Sequence, residues 1–161
     1  MKTVIKFLGY ITLVILAASC ERDETSVKSL VGTWEYTIQL SFRGTNYDTG
    51  QSISESKNFS GTFTWDDNLH GYLMGDIEYS YLDGYVEDGR LGFIEDSFRW
   101  SEGGKEYEIF CVWNSVPVER KMKTFTTTAG KHSWVEVQYS NGNEVFGDYV
   151  EATFTARKTN L

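Results

Sequence analysis

The chain has 161 residues, 16% of them aromatic and 24% charged, with 15 Gly and one Pro, Pro117. That length holds one domain around one core, and aromatic residues mixed with glycines belong to packed strands and tight turns rather than to a disordered tail. A formal charge of −8 argues against nucleic acid as a partner.

Lys2 and Lys6 precede the apolar run from Phe7 to Ala18, and the small residue Ser19 follows. This is the layout of an export leader over residues 1–19. As a helix the run rises only about 18 Å, short of the ~30 Å hydrocarbon slab, so a permanent span is the weaker reading. Loss of the leader removes two lysines and no acid, taking the charge to −10. Leu16-Ala17-Ala18-Ser19-Cys20 resembles the lipobox of bacterial lipoproteins, and Glu21-Arg22-Asp23-Glu24 resembles the surface-export signal of Bacteroidetes-type lipoproteins. The resemblance implies acylation of Cys20 and attachment to the outer membrane through lipid alone. It also implies display at the cell surface, with the periplasmic face as the alternative. Residues 20–29 then read as lipidated Cys and acidic tether, and 30–161 as the folded domain. With Cys20 lipidated, Cys111 has no partner for an intrachain disulfide, and its place between Phe110 and Val112 suits a small buried hydrophobe.

From Trp34 onward Tyr36, Ile38, Leu40 and Phe42 alternate with polar residues, the period of two that makes one face of a strand apolar and the other wet. The pattern returns at Phe59, Gly61, Phe63 and Trp65, and again at Tyr107, Ile109, Cys111 and Trp113. Asp83-Gly84, Asp88-Gly89, Gly103-Gly104 and Asn141-Gly142 are hairpin signals between such runs. The pattern predicts strands at 33–42, 58–66, 71–81, 85–94, 97–102, 105–113, 120–128, 133–140 and 147–158. Short connections favour neighbours paired in sequence order. The expected fold is all-β, an eight- to nine-stranded antiparallel meander closed into a β-barrel, with a β-sandwich as the alternative.

Ser29-Leu30-Val31-Gly32-Thr33-Trp34, followed by an alternating strand, resembles the Gly-x-Trp opening of lipocalin-like barrels. The resemblance implies that Gly32 and Trp34 close the barrel base beneath a short helical turn. It also implies that a basic residue of the last strand lies across the Trp. Arg157 takes that place, with Lys158 as the second choice. The function implied is binding of a small hydrophobic ligand in the interior.

Chemistry is sparse. His70 and His132 form no paired metal spacing, and there is no Gly-x-Ser-x-Gly elbow or phosphate-cradling loop. No enzyme, cofactor or metal is expected. Seven acids between Asp76 and Asp96 do not keep the EF-hand register, which leaves a solvated surface or a looser calcium site. Tyr36, Ile38, Leu40, Phe42, Phe59, Phe63, Tyr107, Ile109, Cys111 and Phe154 are the candidate ligand-lining residues, and they either surround a cavity or fill the interior. Gly61, Ala152 and Ala156 would leave room. Trp134 is out of phase with the apolar Val135, Val137 and Tyr139, and is the candidate surface contact for a glycan or protein partner. The expectation is therefore a monomeric, non-catalytic carrier of a small hydrophobic or amphipathic ligand. The alternative is a surface-exposed glycan- or protein-binding, inhibitor-like module with a solidly packed barrel.

Overall fold

The computed structural model describes residues 26–46, 49–77, 80–94, 96–142 and 144–159. The expected leader, Cys20 and the tether as far as residue 25 lie outside the described residues. A helical turn over residues 26–30 leads into β1 (Gly32–Thr45), which pairs antiparallel with β2 (Ser52–Trp65) along its whole length, Gly32 opposite Trp65 and Thr45 opposite Ser52. The alternation in β1 buries Trp34, Tyr36, Ile38, Leu40 and Phe42 while Glu35, Thr37 and Gln39 stay exposed. β2 starts six residues before the predicted 58, because Glu55 and Lys57 take inward-leaning positions that an apolar pattern does not mark.

Next come β3 (Met74–Gly75), β4 (Gly84–Glu87), β5 (Arg90–Phe93), β6 (Asp96–Glu102), β7 (Lys105–Cys111) and β8 (Val116–Pro117). β9 (Thr124–Thr128), β10 (Trp134–Tyr139) and β11 (Glu144–Lys158) complete the order. The expected strand 71–81 shrinks to Met74–Gly75, where Gly75 has φ +133°, a conformation that interrupts an L-residue ladder. The expected strand 85–94 is instead the hairpin β4–β5, turned at Asp88 (φ +51°) and Gly89 (φ +70°).

The main sheet runs β3-β2-β1-β11-β10-β7-β6, with β9 also on β11, and curls strongly into an antiparallel half-barrel. β9 and β10 occupy successive stretches of one edge of β11, Thr124 opposite Arg157 at one end and Gln138 opposite Glu144 at the other. β4, β5 and β8 form a separate small sheet. Pairing therefore departs from sequence order where β5 meets β8 and β7 meets β10. The first and last strands do meet, from Trp34 opposite Lys158 to Phe42 opposite Val150. Backbone pairing does not close the expected barrel: among the described residues no ladder joins β2 to β6.

The core lies inside the curl. Trp34, Phe63, Trp65, Phe93, Phe125 and Phe154 pack ring against ring at one end, and Phe42, Phe59, Trp100 and Tyr107 at the other. Each such ring removed from water contributes about 1.5–3 kcal/mol before ordering costs. Gly61 does not leave room: a Cβ there would overlap the Met74 carbonyl oxygen and come within 2.9 Å of Tyr36 Cε1.

Candidate functional site

At the base, Trp34 is fully buried and its Nε1 donates to the Leu30 carbonyl at 2.8 Å, tying the helical turn to β1. The basic residue across it is Lys158, not Arg157. Lys158 Nζ lies 5.6 Å from the Trp34 ring centroid and donates to the Ser29 carbonyl at 2.8 Å. Gly32 leaves space for this: a Cβ there would come within 3.3 Å of Lys158 Cε. Strand parity decides the matter, because Arg157 is exposed on the outer face opposite Glu35, whereas Lys158 sits opposite Trp34. Burial lowers the Lys158 pKa from its usual value. Lys158→Met is expected to cost about 1–2 kcal/mol, from the cation–π contact and the carbonyl bond, and Arg157→Met less than about 0.5 kcal/mol. Thermal melts of the two variants check this, and equal shifts would contradict the assignment.

The ten candidate lining residues are all buried: Tyr36, Ile38, Leu40 and Phe42 on β1, Phe59 and Phe63 on β2, Tyr107, Ile109 and Cys111 on β7, and Phe154 on β11. They pack against one another. One void among them, bounded by Ile38, Leu82, Phe98, Trp113 and Phe154, holds ≈ 10 Å³, about the space of a single water. Burial pushes the Cys111 thiol up to about 12, so it stays protonated and unreactive at neutral pH. Tyr36 is pushed up to about 12 as well, by burial first and then by the charge of Asp76.

Between β2 and the β6–β7 hairpin the connection is made by side chains. Glu55 accepts hydrogen bonds from Lys105 Nζ at 2.8 Å and Tyr107 Oη at 3.0 Å, and Lys57 pairs with Glu102. Partial burial pushes the Glu55 pKa up, but the bonds from Lys105 and Tyr107 and the charges of Lys105 and Lys57 outweigh it, and the net shift is downward. With the folded pKa below the unfolded one, the contribution of this clasp is complete above the ordinary Glu value of about 4.3 and is lost as pH falls through the depressed value. Glu55→Gln is expected to cost about 1 kcal/mol at pH 7 and progressively less below about pH 4. Urea midpoints of both proteins at several pH values read this difference, and a gap that widened in acid would contradict it.

The register sets the outward side chains of β6, β7, β10 and β11 in three rows. One row holds Ser97, Phe110 and Trp134. The next holds Arg99, Glu108, Glu136 and Phe146, and the third Ser101, Glu106, Gln138 and Glu144. Phe110 and Trp134 stack with centroids 4.2 Å apart and planes at 21°, so Trp134 is half-buried on one side by its neighbour. Arg99 donates to Glu108 at 2.6 Å, and Gln138 Nε2 to Glu136 at 3.0 Å. Over β6, β7 and β10 these polar side chains wall an open groove of ≈ 390 Å³. It is far larger than the void beside Phe98 and Trp113. Phe110 was not among the candidates drawn from sequence, although it is out of phase with Tyr107, Ile109 and Cys111 just as Trp134 is with Val135 and Val137.

His70 is exposed, with Nδ1 3.0 Å from Asp83 Oδ1, and His132 is exposed on the segment between β9 and β10. Asp76 is engaged by β2, accepting from the Ser60 amide at 2.7 Å and its hydroxyl at 2.8 Å. Among the described residues no three His, Cys, Asp or Glu side chains are gathered as metal ligands, and Glu78 and Glu95 of the acidic stretch lie outside the described residues. No helix among the described residues is long and apolar enough to cross a membrane.

No family model and no curated protein matches this chain. Among solved structures, the crystal structure of ywiB protein from Bacillus subtilis is similar at 10% identity, covering 80% of this chain and 93% of that one, with a TM-score of 0.30. That likeness is too distant to inform fold or function.

Proposed function

We propose that the protein is a lipid-anchored, non-catalytic recognition module of the outer membrane, and that it binds an oligosaccharide on the outer face of β6, β7 and β10. In this reading the curled sheet is a lipocalin-like barrel whose wall is completed between β2 and β6 by side chains, and it serves as a packed scaffold. The observation that carries the proposal is the groove of ≈ 390 Å³ next to the Phe110–Trp134 stack. A sugar ring offers an apolar face to an aromatic side chain and hydroxyls to the polar groups around it. Trp134 supplies the first contact, and Arg99, Glu136 and Gln138 supply donors and acceptors for the second. The burial of all ten candidate lining residues in one packed core supports the outer face over the interior as the place of binding.

Glycan-array screening of a chain starting at Glu21, which keeps every described residue, followed by titration calorimetry, tests the proposal. Trp134→Ala is expected to weaken binding of an array hit about 10-fold or more, the loss typical of a central aromatic contact, while folding stability falls by no more than about 1 kcal/mol. An array without hits, or unchanged affinity in Trp134→Ala, sinks it.

A further inference from the structure

The helical turn over residues 26–30, the segment 118–123 and the end of β11 meet at the base. Ser29 Oγ donates to the Glu119 carbonyl at 3.3 Å, the Lys158 amide donates to the Lys123 carbonyl at 2.8 Å, and Arg157 lies opposite Thr124. These contacts gather Lys28, Arg120, Lys121, Lys123 and Arg157, all of them exposed. Met122 is buried between two of the lysines and pins their segment to the core. The acids nearby are Glu35, opposite Arg157, then Glu119, and Asp88 next to Gly89, whose carbonyl accepts from the Val118 amide. Among the described residues none of the three forms an ion pair with a base, whereas Lys57, Arg99 and Lys105 toward the other end are each paired with a glutamate. A chain of formal charge −8 thus keeps five unpaired, solvated cations on one end.

We propose that this base docks on the anionic headgroups of the bilayer that holds the anchor, and so points the groove away from the membrane; the inference rests on the lipid-anchored reading above. The chain enters the fold at Ser26, inside the basic end, and the six residues from Cys20 to Thr25 reach at most about 20 Å when fully extended. An anchored domain therefore has its cations within reach of the lipid surface. Charges act there only within a Debye length of about 10 Å, whereas the strand from Trp34 to Phe42 spans about 26 Å. Acids around the groove, at the Phe42 end, are screened from the bilayer in this orientation, while the basic end is held by it. Glu21, Asp23 and Glu24 of the tether stand beside the lipid in every orientation and bias none of them.

The test couples a chain starting at Cys20, through that thiol, to a maleimide lipid in vesicles of phosphatidylcholine alone or of equal parts phosphatidylcholine and phosphatidylglycerol. Cys111 is buried and does not compete for the coupling. Acetylation of each lysine by a water-soluble reagent is followed by mass spectrometry. On the anionic vesicles Lys28, Lys121 and Lys123 are expected to react at least about 3-fold more slowly than on the neutral ones, with the exposed Lys131 unchanged, and 0.5 M NaCl is expected to abolish the difference. Arg120→Gln/Arg157→Gln removes two exposed charges and is expected to cut the protection of the lysines below about 2-fold, while Arg43→Gln, at the other end, leaves it intact. Equal rates on the two vesicles, equal slowing of Lys131, or full protection in Arg120→Gln/Arg157→Gln overturns the docking. Because the coupling supplies the lipid, these results do not depend on natural acylation. The mass of Cys20 in the full chain exported by a bacterium reads that separately, and an unacylated Cys20 sinks the anchored reading without altering the vesicle result.

Discussion

Trp34→Ala is expected to lower the stability of the domain by about 4 kcal/mol, the loss typical of a large ring removed from a core that cannot collapse around the gap. The side chain has 0% exposure, lies parallel to Phe63 at 6.2 Å, and meets Trp65 and Phe125 at 6.1 and 5.4 Å. Its removal also orphans the Leu30 carbonyl and takes the aromatic face from under Lys158. Trp34→Phe keeps most of the packing but not the donor, so it is expected to cost about half as much. Urea unfolding of both variants checks this. A loss below about 1 kcal/mol for the alanine variant would show that the base is not a rigid part of the fold.

Gly61→Ala is the second large effect, an expected loss of about 3 kcal/mol from one added methyl group. Overpacking of this size arises where the obstruction is backbone, which has no alternative rotamer. The new Cβ would overlap the Met74 carbonyl oxygen and press on Tyr36, so β3 would have to leave β2. Gly103→Ala is the control. It has φ +59° with open space around it, and is expected to cost only about 1–2 kcal/mol of left-handed strain. Thermal melts that ranked the two alike would mean that β3 moves aside freely.

The strands with clean alternation were legible in the sequence: β1, β6, β7, β10 and β11 lie within a few residues of their predicted bounds. Legibility failed where a residue's surroundings come from distant chain. Glu55 and Lys57 fall before the predicted start of their strand at 58, yet they lean toward β6 and β7, where Glu102 and Lys105 pair with them. Gly61 read as spare room, because a missing side chain does not announce that another backbone fills its place. Arg157 was chosen over Lys158 by motif, whereas parity counted back from the Trp34 register selects Lys158. Trp134 was visible as an out-of-phase aromatic, but its stacking partner Phe110 is supplied by cross-strand pairing, which one strand alone does not reveal.

The pairing of β1 with β11 also sets the order in which the molecule can be made. Trp34 meets Lys158, so the first strand waits for nearly the last described residue before its second edge is satisfied. The entropy of closing so long a loop must be lost before the contact stabilises anything, which places this chain among slow folders of high contact order. During synthesis both strands of the β1–β2 hairpin are therefore available long before β11, and the second edge of β1 stays open until β11 arrives.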